Sequence, residues 1–130
     1  MILLASTRIK IDRAPTNSEE SIVADWISVG MLDDLMDRKP FLVAANGDAV
    51  LLLKADDQVF AIGNQCTHQG AGLDRGVVKI AGSVRTVTCP AHGSVFRLDD
   101  GTVMRPPATK PVPVYDVRVE DGQIFVRPRE

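Results

Sequence analysis

From position 41 onward the chain falls into short apolar runs bounded by turn residues, the pattern expected of strands. Phe41–Ala45 and residues 50–54 flank Asn46-Gly47-Asp48, and Asn-Gly between apolar runs is the strongest short hairpin signal. Ala55-Asp56-Asp57 turns the chain into residues 58–62, and Asp99-Asp100-Gly101 separates residues 95–98 from residues 102–104 as a further hairpin turn. In the Pro-rich stretch from Arg105 to Pro113, missing N–H groups forbid a regular central strand. Residues 114–119 and 123–126, joined by Glu120-Asp121-Gly122, complete the pattern. Many short strands at short turn spacing predict an all-β, antiparallel sandwich or barrel. Upstream, Met31, Leu32, Leu35 and Met36 share one side of a short helical turn that Pro40 stops, and Trp26 is expected to anchor the core. Residues 1–24 are polar, turn-rich and only weakly alternating, which predicts an N-terminal arm, flexible in part or committed to a partner.

A length of 130 residues suits one domain, with no room for a separate catalytic domain beside it. Fifteen basic against seventeen acidic residues give a net charge of −2, so no basic field exists to bind nucleic acid. The apolar runs at 41–45 and 50–53 are too short to span a bilayer, and Met1-Ile2-Leu3-Leu4-Ala5 lacks the basic leader of a secretory signal. The expectation is a soluble, cytoplasmic protein with no membrane or nucleic-acid partner.

The soft metal ligands change the picture most. The chain has two Cys and two His, all between positions 66 and 92. They form two clusters, Cys66-Thr67-His68-Gln69-Gly70-Ala71-Gly72-Leu73 and Cys89-Pro90-Ala91-His92-Gly93-Ser94-Val95-Phe96. The spacing is C-x-H, twenty residues, then C-x-x-H. Each cluster follows a strand and places Gly at or just after the His, which lets a loop backbone approach an inorganic object closely. Three readings compete. Ordinary buried thiols and satisfied histidines leave the pairing unexplained. A structural zinc site of two Cys and two His is chemically sound, although zinc pairs usually keep both members of a pair of one residue type. A [2Fe–2S] cluster with two thiolates on one iron and two imidazoles on the other takes one Cys and one His from each loop.

These octapeptides resemble the paired motifs of Rieske iron–sulfur proteins, and the likeness reaches beyond the ligands. Asn64-Gln65 before Cys66, Gly70 and Leu73 after His68, the Pro loop ahead of Tyr115-Asp116-Val117, and Asp121-Gly122-Gln123-Ile124 all fit. The resemblance covers residues 26–126 and implies a Rieske-type antiparallel β-sandwich, residues 25–130, carrying a small cluster-binding subdomain at about 63–107. It implies one [2Fe–2S] cluster per chain. Cys66 and Cys89 would bind the inner iron, and His68 and His92 the outer iron near the tip. Gly70, Ser94, Phe96 and Pro107 would surround it, with Pro106-Pro107 capping it as a third loop. One departure is the twenty residues between His68 and Cys89, a few more than usual in the family; the surplus is expected in a turn at Lys79-Ile80-Ala81-Gly82-Ser83.

Two subtractions narrow the type. Membrane-anchored Rieske subunits carry an extra Cys in each loop, joined as a disulfide, where this chain has Ala71 and Ala91. Rieske oxygenases need two further His and a carboxylate for a mononuclear iron, and this chain has no His left once the cluster takes two. What remains resembles a Rieske-type ferredoxin, a one-electron carrier between a flavin-dependent reductase and a terminal oxygenase, and so not itself an enzyme. The alternatives are the small Rieske subunit of a larger reductase such as nitrite reductase, and a zinc-stabilised interaction module without redox chemistry. Ser94 stands where high-potential members place a donor to a cluster sulfide, and Phe96 where they place a Tyr. The expected potential therefore lies in the lower half of the window of about −150 to +300 mV.

Overall fold

The computed structural model describes residues 26–129. The expected arm at 1–24 lies outside the described residues. The elements are β1 (Ile27–Met31), a 3-10 turn (Leu32–Asp34), β2 (Phe41–Ala45), β3 (Asp48–Ala55), β4 (Gln58–Gly63), a second 3-10 turn (Leu73–Arg75), β5 (Val77–Ala81), β6 (Val84–Thr88), β7 (Val95–Arg97), β8 (Val103–Arg105), β9 (Val114–Glu120) and β10 (Gln123–Pro128). They form two antiparallel sheets. A six-stranded base has the order β1-β10-β9-β4-β3-β2, and its edge strands β1 and β2 come into contact. A four-stranded sheet, β5-β6-β7-β8, is inserted between β4 and β9.

The apolar run at 50–53 explains how the two sheets share one molecule. Successive side chains of a strand face opposite ways, so Val50 and Leu52 enter the core inside the base with Leu35, Ala61, Tyr115, Ile124 and Val126. Leu51, Leu53 and Ala55 face the other way and pack with Ile62, Val87, Phe96, Leu98 and the two cysteines. Residues 50–53 are all fully buried. A central strand covered on both faces reads as a continuous apolar run rather than an alternation. Burial of one such side chain contributes about 1.5–3 kcal/mol, so β3 is the main seam between base and insertion.

Tight turns set the register. Asn46 and Gly47 both have positive φ (52° and 89°) and join Ala45 to Asp48, the two-residue turn that matches strand twist. Asp56 and Asp57 do the same between Ala55 and Gln58, with φ of 55° and 61°, a conformation that Asp tolerates better than most residues.

Four expectations are corrected. The helical turn at 31–37 shrinks to the three residues Leu32–Asp34, because Met31 is taken by β1; Leu35 is buried while Met31 and Met36 are exposed. Trp26 is half-buried at the surface rather than in the core, with the Arg127 guanidinium 4.3 Å and that of Arg118 5.7 Å from its ring centroid. The surplus residues at 79–83 do not enlarge a loop. Lys79-Ile80-Ala81 lengthen β5, and only Gly82-Ser83 turn, because Val77–Ala81 and Val84–Thr88 alternate as strands and Gly82 supplies the positive φ of 60°. Finally, the insertion runs on past 107 to residue 113, since the Pro-rich strand connection stays with the inserted loops until Val114 rejoins the base.

Candidate metal centre

Two loops built on one plan carry the four soft ligands. In the first, the Cys66 N–H donates to the Ala71 carbonyl at 2.8 Å and the Gly70 N–H to the Cys66 carbonyl at 2.7 Å. In the second, the Cys89 N–H donates to the Ser94 carbonyl at 2.7 Å and the Gly93 N–H to the Cys89 carbonyl at 3.2 Å. Each ring closes through a glycine of positive φ, 79° at Gly70 and 84° at Gly93, a conformation costly for other residues. The result is a pair of matching fingers. Cys66 and Cys89 are buried, each 3% exposed, and neither forms a disulfide. His68 and His92 are exposed, with ring centroids 5.1 Å apart and planes at 83°.

The layout separates a buried thiol pair from an exposed imidazole pair. A two-iron group divides its ligands into a sulfur pair and a nitrogen pair, and the arrangement fits that division. Thiolates and imidazoles are also the donor types that iron–sulfur centres select.

The Pro-rich stretch after β8 crosses both fingers as a strap. Thr67 Oγ1 donates to the Lys110 carbonyl at 2.6 Å, and the Ala108 N–H donates to Ser94 Oγ at 2.9 Å. One hydroxyl from each finger therefore holds the strap. Ser94 is fully buried, and accepting from Ala108 leaves its own proton free to donate. Phe96 is fully buried and packs in the same core as both cysteines. Pro106 and Pro107, joined by a cis bond, are exposed on the strap.

Three contributions escaped the sequence reading, in which Asn64 figures only as part of the motif before Cys66. Asn64 is 6% exposed and bonds Asp74 twice, its Nδ2 donating to Oδ1 at 2.8 Å and its Oδ1 accepting from the Asp74 N–H at 2.8 Å. Its backbone also bonds Ala49 and Leu73, so it pins the foot of the first finger to the base. Thr67 was legible only as a spacer between ligands. Arg85, in β6, lies 2.9 Å from Asp99 and 3.5 Å from Asp56, with its guanidinium 5.2 Å from the Phe60 ring centroid. Asp56, which reads in sequence as a solvated turn residue, and the Phe60 ring thus tie Arg85 of the insertion to the base, while Asp99 holds the same guanidinium from within the insertion.

Comparison with known proteins agrees with this geometry. Residues 25–127 match the family model of the Rieske-like [2Fe-2S] domain. The chain is 30% identical over 107 residues to the anthranilate 1,2-dioxygenase ferredoxin subunit of Burkholderia cepacia, an alignment covering 82% of this chain and 95% of that one. Among solved structures it is similar to the ferredoxin of carbazole 1,9a-dioxygenase from Nocardioides aromaticivorans (TM-score 0.73, 34% identity, 80% of this chain and 98% of that one). It is also similar to a structure designated the small subunit of an NADH-dependent nitrite reductase from Mycobacterium tuberculosis (TM-score 0.69, 34% identity, 81% and 95%).

Proposed function

Since the chain belongs to the Rieske-like [2Fe-2S] domain family, with a [2Fe–2S] cluster as its cofactor, we propose that Cys66 and Cys89 hold the inner iron and His68 and His92 the outer one. The observation that carries this assignment is the buried thiol pair beneath an exposed imidazole pair, on two fingers of one hydrogen-bond plan. The zinc reading falls with the family assignment. The cluster supplies one reversible electron, at a potential above that of all-cysteine ferredoxins because neutral imidazole replaces thiolate.

The protein is an electron-carrying component of a multi-component system rather than a catalytic subunit. We assign its residues as follows. Burial of Cys66 and Cys89 keeps water from the sulfur side, while His68 and His92 bring the other side to the surface and give a partner a short route for the electron. Ser94 offers its proton to a cluster sulfide while the Ala108 N–H fixes its rotamer. Pro107 and Gly70 stand at the rim of the strap and first finger, and Phe96 fills the core beneath the second. The cluster-binding subdomain, drawn at 63–107 from sequence, extends to residue 113 with its strap. The carrier takes electrons from a flavin-dependent reductase and delivers them to a terminal oxygenase, in the cytoplasm, where thiol ligands stay reduced for assembly. A second reading, the permanent small subunit of a nitrite-reductase-like enzyme, is favoured by the likeness to the mycobacterial structure.

A purified flavin reductase and a Rieske oxygenase should turn over together only when this protein is added, and Cys89→Ala should abolish the coupling. Coupling that survives Cys89→Ala would overturn the ligand assignment. Purification from its host in a stoichiometric complex with a large reductase subunit would favour the second reading.

A further inference from the structure

The charge of this chain is divided between its two ends. The insertion, residues 64–113, carries Arg75, Lys79, Arg85, Arg97, Arg105 and Lys110 against Asp74, Asp99 and Asp100. The described remainder carries nine acidic residues against six basic ones. A molecule of net charge −2 therefore presents a positive cluster end on a negative base.

Of the four insertion cations without an ion pair among the described residues, Lys79 lies on β5 and the other three adjoin the fingers and the strap. Arg85 and Arg97 are occupied by Asp56, Asp99 and Asp100. Arg75, Arg105 and Lys110 are exposed and have no ion-pair partner among the described residues. Arg75 ends the 3-10 turn that closes the first finger. Arg105 pairs with Val95, next to Ser94, and leads into Pro106. Lys110 gives its carbonyl to Thr67, beside His68. The carboxylate of Asp74 is already held by Asn64. The fingers, β8 and the strap also expose the two imidazoles, Met104 (55% exposed), Pro106 and Pro107. Exposed apolar groups together with exposed charge are the makings of a transient docking surface.

We propose that this end docks on an acidic surface of its redox partner, with Arg75, Arg105 and Lys110 as the steering cations. The proposal rests on the electron-carrier reading above. Unlike charge on partner and tip speeds encounter and fixes orientation, and the opposed charge of the base turns the molecule tip-first.

The test uses the reduced holoprotein with one acceptor in two charge states: cytochrome c in its native basic form, and cytochrome c whose lysines have been succinylated. Binding by calorimetry and the second-order rate of haem reduction are both read against ionic strength. The succinylated form should bind at low salt, and its reduction should slow on the order of tenfold or more as salt screens the attraction. The native form should show no binding and should speed up. Combining Arg75→Glu, Arg105→Glu and Lys110→Glu should invert the preference, whereas Lys39→Glu on the base should leave it unchanged. A preference for the native basic form, as net charge alone demands, or rates indifferent to salt, would overturn the proposal. A purified chain without iron or sulfide, reducing neither form, would instead overturn the carrier reading beneath it.

Discussion

Ser94 accepts from the Ala108 N–H, and in the function proposed above its own proton is kept for the cluster. Ser94→Ala should therefore lower the reduction potential, by roughly 40 mV if the lost hydrogen bond is worth about 1 kcal/mol to a one-electron couple. Protein-film voltammetry measures this directly, and an unchanged potential would leave Ser94 as a strap anchor only. Tyr115, the chain's one tyrosine, reports on the base. Burial, aided by the Asp48 carboxylate, pushes its hydroxyl above the ordinary value near 10. Its folded pKa is raised, so the stability it contributes is fully present below pH 10 and lost as pH rises through the folded value. Tyrosinate absorbance should appear at a higher pH in the folded protein than in urea, and Tyr115→Phe should remove that part of the alkaline destabilisation. Coincident titrations would contradict it. The four ligand residues were legible in sequence because their types and spacing stand out in a chain with so few Cys and His. The anchoring role of Asn64 was not, since nothing local marks an amide whose partner is another loop residue that the 3-10 turn brings back.

Elements were readable where turn chemistry was explicit, as at Asn46-Gly47 and Asp121-Gly122; the burial of β3 on both faces emerges only from the two cores that it separates. Of the β5–β6 hairpin the sequence reading places only a turn, and draws it too wide at 79–83, although the alternation of Val77–Ala81 and Val84–Thr88 carries both strands up to Gly82-Ser83. Its attachment depends on a close backbone approach. A Cβ on Gly76 would lie 2.0 Å from the Thr88 carbonyl oxygen, and a backbone carbonyl in a paired strand cannot retreat. Gly76 has an ordinary negative φ, so crowding alone demands glycine here. Gly76→Ala should destabilise the insertion by more than about 3 kcal/mol, seen as loss of the cluster absorbance at a temperature where the parent keeps it. Full retention would mean that β5 and β6 can part without cost. The strap has no signature beyond its prolines. Its attachment through Thr67 and Ser94 depends on two hydroxyls far from it in sequence.

At the scale of the whole molecule, insertion and base meet at the seam along β3 and at the Arg85 clamp. Arg85 is 17% exposed and faces Asp99 and Asp56. Arg85→Met removes the guanidinium from over the Phe60 ring and leaves Asp99 half-buried and unpaired, at a cost of about 1–3 kcal/mol. A urea midpoint lowered to that extent, with the potential unmoved, would separate this scaffold role from any role at the cluster; a moved potential would contradict it. No helix of the described residues is long and apolar enough to cross a membrane. The central claim is that two fingers hold two irons through unlike pairs of ligands. Its most direct test is an iron and acid-labile sulfide assay with a low-temperature EPR spectrum of the dithionite-reduced protein. Two irons and two sulfides per chain, with the low-average-g rhombic signal of a histidine-ligated cluster, is the result predicted here. Stoichiometric zinc, no labile sulfide and no signal from anaerobically prepared protein would contradict it.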